Sequence, residues 1–186
     1  PLPPPPPAAG EGFVTVLGKG LEGGRRVVIR GTLEKVTSPG LGVDMAQVLV
    51  AETLWGEAPA TERVRILSNE AGYFAKVSPA AVFFLEPMEG GGRFSCRAVV
   101  DGGGTEGPAR VAAVRRALEV EKRPPAERAA ALRALCFESL GAEDPWTRRN
   151  AAREIVHFAG NRPGAFTLAD LGYDPDALIS RLARIV

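Results

Sequence analysis

The sequence predicts an α+β chain, a small closed β-barrel followed by a helical bundle, and three observations carry the prediction. Short β-prone runs that alternate apolar and polar residues fill residues 13 to 101. From residue 108 onward apolar residues recur at spacings of three and four instead. Between the two patterns stands Gly102-Gly103-Gly104-Thr105-Glu106-Gly107-Pro108, which reads as a joint. Glycine frees φ, and Pro108 is tolerated at a first helical position because that N–H has no intrahelical partner. The expected organisation is a Pro-rich spacer over 1–12, the barrel over 13–101, the joint over 102–107 and the helical domain over 108–186.

Phe13-Val14-Thr15-Val16-Leu17 is a β-prone start, and Gly18, Gly20, Gly23 and Gly24 turn the chain after it. Arg25 to Val36 then alternates, with Val27, Ile29 and Leu33 on one face and Arg30, Thr32 and Glu34 on the other. Gly31 interrupts the inner row and predicts a bulge or sharp bend, which lets a small sheet curl into a barrel. Ser38-Pro39-Gly40-Leu41-Gly42 reads as a turn, and Val43 to Leu54 as a second long strand with Ala46, Val48 and Val50 on one face. Arg63 to Leu67 alternates again, Ala81-Val82-Phe83-Phe84-Leu85 is wholly apolar and so central, and Arg93 to Val100 closes the set. About five main strands plus a leading one suffice for a small closed barrel.

The runs Val48-Leu49-Val50-Ala51-Glu52-Thr53-Leu54-Trp55-Gly56-Glu57, Val64-Arg65-Ile66, Val82-Phe83-Phe84-Leu85-Glu86-Pro87 and Gly91-Gly92-Arg93-Phe94 follow one another in an order that resembles bacterial extracytoplasmic TIMP-like or netrin-like OB-fold domains. The resemblance covers about residues 25–100 and implies an OB-like barrel. The animal members are rich in disulfides and begin with an inhibitory cysteine, whereas Cys96 is the only cysteine in this region. Metalloprotease inhibition is therefore not inherited from the resemblance.

In the helical part, Val111, Val114 and Leu118 mark one stripe, and Arg123-Pro124-Pro125 ends that helix and starts the next. Ala129, Leu132, Leu135, Cys136 and Leu140 form a second stripe that Gly141 stops. Asp144-Pro145 is an N-cap followed by proline at the first helical position, opening a third stripe of Thr147, Ala151, Ile155 and Phe158. Further helices start at Phe166 and at Asp174-Pro175. Asp144, Thr147-Arg148, Ala151-Ala152 and Ile155 resemble the pattern of a HEAT-type repeat over about residues 124–160. One repeat is too short for a solenoid, so the flanking helices must complete a HEAT-like bundle.

Composition sets the class. The chain has 186 residues, 45% apolar and 24% charged, as expected of a globular chain able to bury a core. Net charge is +1 and does not segregate: residues 1–101 carry ten Lys and Arg against eleven acids, and 102–186 carry thirteen against eleven. That balance argues against nucleic acid as a partner, since phosphate neutralisation asks for a clustered basic face. No stretch approaches the ~20 apolar residues of a membrane span, so no membrane insertion of this chain is expected. The opening Pro1-Leu2-Pro3-Pro4-Pro5-Pro6-Pro7 reads as extended polyproline II. Two explanations stay open: a spacer behind an upstream lipid anchor or signal peptide, or a boundary in an interdomain linker. Cys96 and Cys136 have no metal-type spacing, and either a disulfide between them or two buried thiols fits.

Catalytic, metal and cofactor sites are all expected to be none. His157 is the only histidine and sits near a helix end, where a satisfied imidazole is the ordinary occupant. Asp174 caps a helix and Asp176 is a first-turn acid, while the Gly18 to Gly24 run precedes a strand and so reads as a hairpin turn, not a phosphate cradle. Arg63, Arg65, Arg93 and Arg97 can line one barrel face, but Phe83, Phe84 and Phe94 lie in apolar runs that read as core, leaving no rings for bases to stack on. Trp55 at a strand end, Tyr73 and Phe74 in a polar loop and Trp146 in a first helical turn are the candidate partner-binding residues. Packing explains Trp55 as a plug under the barrel and Trp146 as a staple between helices; Tyr73 and Phe74 are the pair expected to be exposed. The sequence thus predicts a non-enzymatic protein-binding or scaffold module, periplasmic or otherwise of the bacterial cell envelope. A TIMP-like enzyme inhibitor is the first alternative and a single-stranded nucleic-acid binder the second.

Overall fold

A computed structural model describes residues 26–40, 42–69, 72–89 and 92–151. The Pro-rich tract, the leading strand at Phe13–Leu17, His157, the end of the third helical stripe and Asp174 and Asp176 lie outside the described residues. The chain divides into two compact units; of the described residues, 26–111 belong to the first and 112–151 to the second.

The first unit contains the strands β1 (Val27–Gly40), β2 (Val43–Trp55), β3 (Arg63–Ser68), β4 (Ala80–Pro87) and β5 (Arg93–Asp101). They close in the order β1-β2-β3-β5-β4, with β4 returning to β1, and every pairing is antiparallel except β3 with β5. The predicted α+β class holds: an OB-like closed barrel followed by helices. Inward residues of all five strands fill the interior, among them Val27, Ile29, Val48, Ile66, Phe83, Leu85 and Phe94. On β4 the outward Val82 and Phe84 are buried too, as a continuous apolar run predicts.

Two departures from the expected strands have local causes. β1 continues through Thr37, Ser38, Pro39 and Gly40, where a turn was expected, because β2 pairs with it as far as Gly40–Val43. A tertiary ladder overrides turn composition there. The bend predicted at Gly31 is present as a register shift between Arg30 and Gly31. At that residue β1 pairs on both sides at once, with Val50 of β2 and Ala81 of β4. A Cβ on Gly31 would stand 2.6 Å from the Leu49 carbonyl oxygen and 2.6 Å from Val48 Cγ1, so the close approach requires glycine.

The glycine run is tightly held. The Gly102 N–H donates to the Ala80 carbonyl at 2.9 Å and the Gly103 N–H to Asp101 Oδ1 at 2.8 Å. A Cβ on Gly107 would fall 2.0 Å from the Gly102 carbonyl oxygen, so this backbone contact also needs glycine. Helix α1 (Gly107–Glu121) starts at once, and α2 (Pro125–Ser139) follows after a turn. Val111, Val114 and Leu118 are buried on α1, and Leu135 and Cys136 on α2, as the spacing predicts. Residues 145–151 are helical again. Asp144 is their cap: its Oδ2 accepts from the Thr147 N–H at 2.8 Å and from Thr147 Oγ1 at 2.6 Å.

Candidate functional site

Phe74 departs most from its expected role. It was expected to be exposed, but only 1% of it is, and it belongs to the barrel core. A short 3-10 turn, Phe74–Lys76, in the connection between β3 and β4 carries the ring inward. The plug that Trp55 was expected to supply is thus supplied by Phe74 at the end where β2 begins. Trp55 ends β2 opposite Val28 and is partly exposed. Tyr73 is half-buried against the same core, its ring edge-on to Phe74 at 5.3 Å and 85°. Trp146, half-buried, lies in the second unit, so no common site with the other three is described. Beside it Asn150 donates Nδ2 to the Trp146 carbonyl at 2.8 Å, and among the described residues its buried Oδ1 accepts no hydrogen bond.

What positions the Tyr73 turn is an acid at the start of β2. Asp44 is fully buried, and its Oδ2 accepts from the Phe74 N–H at 3.1 Å. Ser38 Oγ donates to its Oδ1 from β1. The Ser38 hydroxyl holds the Asp44 carboxyl below its usual range against the opposing effect of burial, and the backbone N–H groups of Phe74, Gly72 and Tyr73 add to it. One carboxylate therefore ties the β1–β2 hairpin to the turn that inserts Phe74.

The outer face of β2 and β3, with Glu34 and Lys35 of β1 and Arg93 of β5 beside it, is the open side of the barrel. Of the four arginines expected to line one face, two are neutralised. Arg63 donates Nε and Nη2 to Glu34 at 3.0 and 3.2 Å, and Arg97 donates Nε to Glu86 at 2.7 Å. The hydrogen bonds and charge of Glu34 push the Arg63 pKa up. Arg65 and Arg93 are register partners across the parallel pair, and neither has an ion-pair partner among the described residues. Sequence reasoning missed the continuation of this row: Arg65 opposes Gln47, and Gln47 opposes Lys35. A register shift between Leu33 and Lys35 turns Glu34 and Lys35 both outward, which simple alternation from Arg30 does not foresee. The next row along the strands is Thr37, Met45, Leu67 and Ser95, with Met45 38% exposed.

Both cysteines are free thiols. Desolvation pushes the Cys96 pKa up to about 12, which keeps the thiol protonated and unreactive at neutral pH. Among the described residues no three His, Cys, Asp or Glu side chains gather as a metal site would require, and no helix is long and apolar enough to cross a membrane. No protein-family model matches the chain, and no curated protein is significantly similar to it.

Proposed function

We propose that the chain is a non-enzymatic protein-binding or scaffold module of the bacterial cell envelope, and that it binds with the open outer side of its barrel. The observation that carries the reading is the contrast between a filled interior and a mixed outer face. Side chains from all five strands and Phe74 occupy the inside, so a partner must meet the outside. There Met45 and Leu67 stand opposite one another, Leu49 lies four residues further along β2, and exposed arginines surround them. Partly exposed apolar side chains among arginines are the composition of a protein interface, and methionine adapts its shape to a partner.

The envelope placement is supported by the Pro-rich tract and by the resemblance to extracytoplasmic TIMP-like domains. The OB-like strand order supports a TIMP-like inhibitor as a second reading, and the Asp144 cap supports a HEAT-like repeat. Nucleic-acid binding has less support, since Phe83, Phe84 and Phe94 are buried and present no stacking platform. A photoreactive amino acid in place of Leu49, in cells that natively make the protein, tests the binding reading. The expected outcome is a discrete protein adduct from position 49 and none from position 119 on α1. Absence of an adduct from position 49 overturns it.

A further inference from the structure

The cross-strand row Lys35, Gln47, Arg65 and Arg93 has a property that the other cations of the barrel strands lack. Elsewhere on the barrel strands, exposed cations meet carboxylates: Arg63 has Glu34, Arg97 has Glu86 and Arg30 has Glu52 at 3.9 Å. The three cations of this row have no such partner among the described residues, although they are exposed and stand in one register, Arg65 and Arg93 on adjacent strands and Lys35 joined to them through Gln47. Arg65 and Arg93 stand one strand spacing apart, about 4.8 Å, and Lys35 lies beyond Gln47, two strands from Arg65 around the closed barrel. Like charges aligned across a sheet repel, a small cost in the isolated protein that a complementary partner removes.

We propose that this row docks an acidic segment of a partner protein, one that sets Asp or Glu side chains against Lys35, Arg65 and Arg93 and apolar side chains against Met45, Leu49 and Leu67. The inference rests on the protein-binding reading above and adds the chemistry of the partner. The flanking rows decide between an acidic protein and a nucleic acid. On one side lie Met45 and Leu67, and on the other Leu49 with the ion-paired Glu34 and Arg63. A polyphosphate gains nothing from the aliphatic side chains of Met45, Leu49 and Leu67, whereas an acidic segment with interspersed apolar residues satisfies both the cationic row and the apolar residues beside it. Charge complementarity of this kind sets partner choice and association rate and weakens with salt.

The test uses the full chain, isotopically labelled, titrated with three probes: a peptide alternating Glu and Leu, one alternating Lys and Leu, and oligo-dT matched in charge to the first. The Glu-Leu peptide is expected to shift the amide resonances of Lys35, Gln47, Arg65 and Arg93, and to bind roughly tenfold or more weakly to the double variant Arg65→Glu/Arg93→Glu. Lys35→Glu is the second variant, expected to weaken the same peptide in the same direction. Tighter binding of oligo-dT at these residues, equal binding of the Lys-Leu peptide, or shifts confined to other residues overturn the proposal. If the photo-crosslinked adduct at position 49 forms equally in the Arg65→Glu/Arg93→Glu variant, the acidic-partner inference falls while the protein-binding reading stands. If the unmodified row gives no adduct at all, the binding reading itself falls.

Discussion

The two outer sides of the barrel are built on opposite principles. On the side of β4, the outward residues Val28, Val82, Phe84, Ala98 and Val100 are all at most 2% exposed, so this sheet is apolar and covered on both faces. On the side of β2 and β3, the outward residues are Lys35, Met45, Gln47, Arg63, Arg65 and Arg93, and most are exposed. A barrel needs only its inward face for a core, so burial of the β4 outside is stability beyond that minimum, and the openness of the β2–β3 outside is surface left for another purpose. The same fold thus separates a structural side from a presenting side.

Truncation of one residue on each side gives the largest expected contrast. Phe84→Ala should cost about 3–5 kcal/mol, the usual loss for a fully buried phenylalanine. Arg65→Ala should stay within about 0.5 kcal/mol, as for a surface residue without a partner. Urea unfolding of the two variants measures both. Equal midpoints would mean that the β4 outside is not the structural side at all.

The strand between the two sides gives the next effect. β1 pairs with β4 through its first half and with β2 along its length, and Gly31 is where it bends between them. Gly31→Ala places a methyl against the Leu49 carbonyl and Val48, both held in the sheet. A cost of about 1–3 kcal/mol is expected from such overpacking. A neutral result would show that β1 and β2 approach one another less closely than 2.6 Å implies.

The side built for stability was the more legible in the sequence. Ala81 to Leu85 is an unbroken apolar run, and a strand buried on both faces has little other way to be written. The alternation of Arg63-Val64-Arg65-Ile66 equally announced one wet and one dry face. Helix α1 and the Asp144 cap were readable for the same local reason. The presenting side was legible only in part, because its pattern is a register across strands. Arg65 and Arg93 were candidates, but Lys35 joins them only through the shift after Leu33, and Arg63 and Arg97 leave the set only because Glu34 and Glu86 reach them. Phe74 misled for a related reason: its neighbours in sequence are polar, and the pull inward comes from Asp44, 30 residues away.

Asp44 gives a prediction that separates tethering from general packing. Its pKa is depressed in the folded protein, so the unfolded chain binds a proton more readily and the carboxylate contributes stability at pH above its ordinary value near 4. That contribution is lost as pH falls through the lower folded pKa. Asp44→Asn should therefore lower the melting temperature at pH 7, and the gap from the parent chain should narrow between pH 4 and pH 2. A gap independent of pH would assign the loss to shape and not to charge. Indole and phenol fluorescence should report a loosened Tyr73 turn in the same variant.

The smallest effect belongs to the most regular ion pair on the presenting side. Arg63 grips Glu34 through two nitrogens, the geometry that makes arginine a strong partner for a carboxylate. Both side chains are nevertheless open to water, with 51% and 30% of their surface accessible, so solvent and salt screen the attraction and the entropy of holding two long side chains offsets much of the rest. Glu34→Gln should leave the urea midpoint within error at 150 mM salt. What it changes is the field: releasing Arg63 adds a fourth unpaired cation beside the Lys35, Arg65 and Arg93 row. Binding of the Glu-Leu peptide should therefore tighten in Glu34→Gln while stability does not move, and isothermal titration with a matched unfolding curve reads both. A loss of stability without a gain in peptide affinity would place Glu34 on the structural side of the molecule and dissolve the division between the two faces at β1.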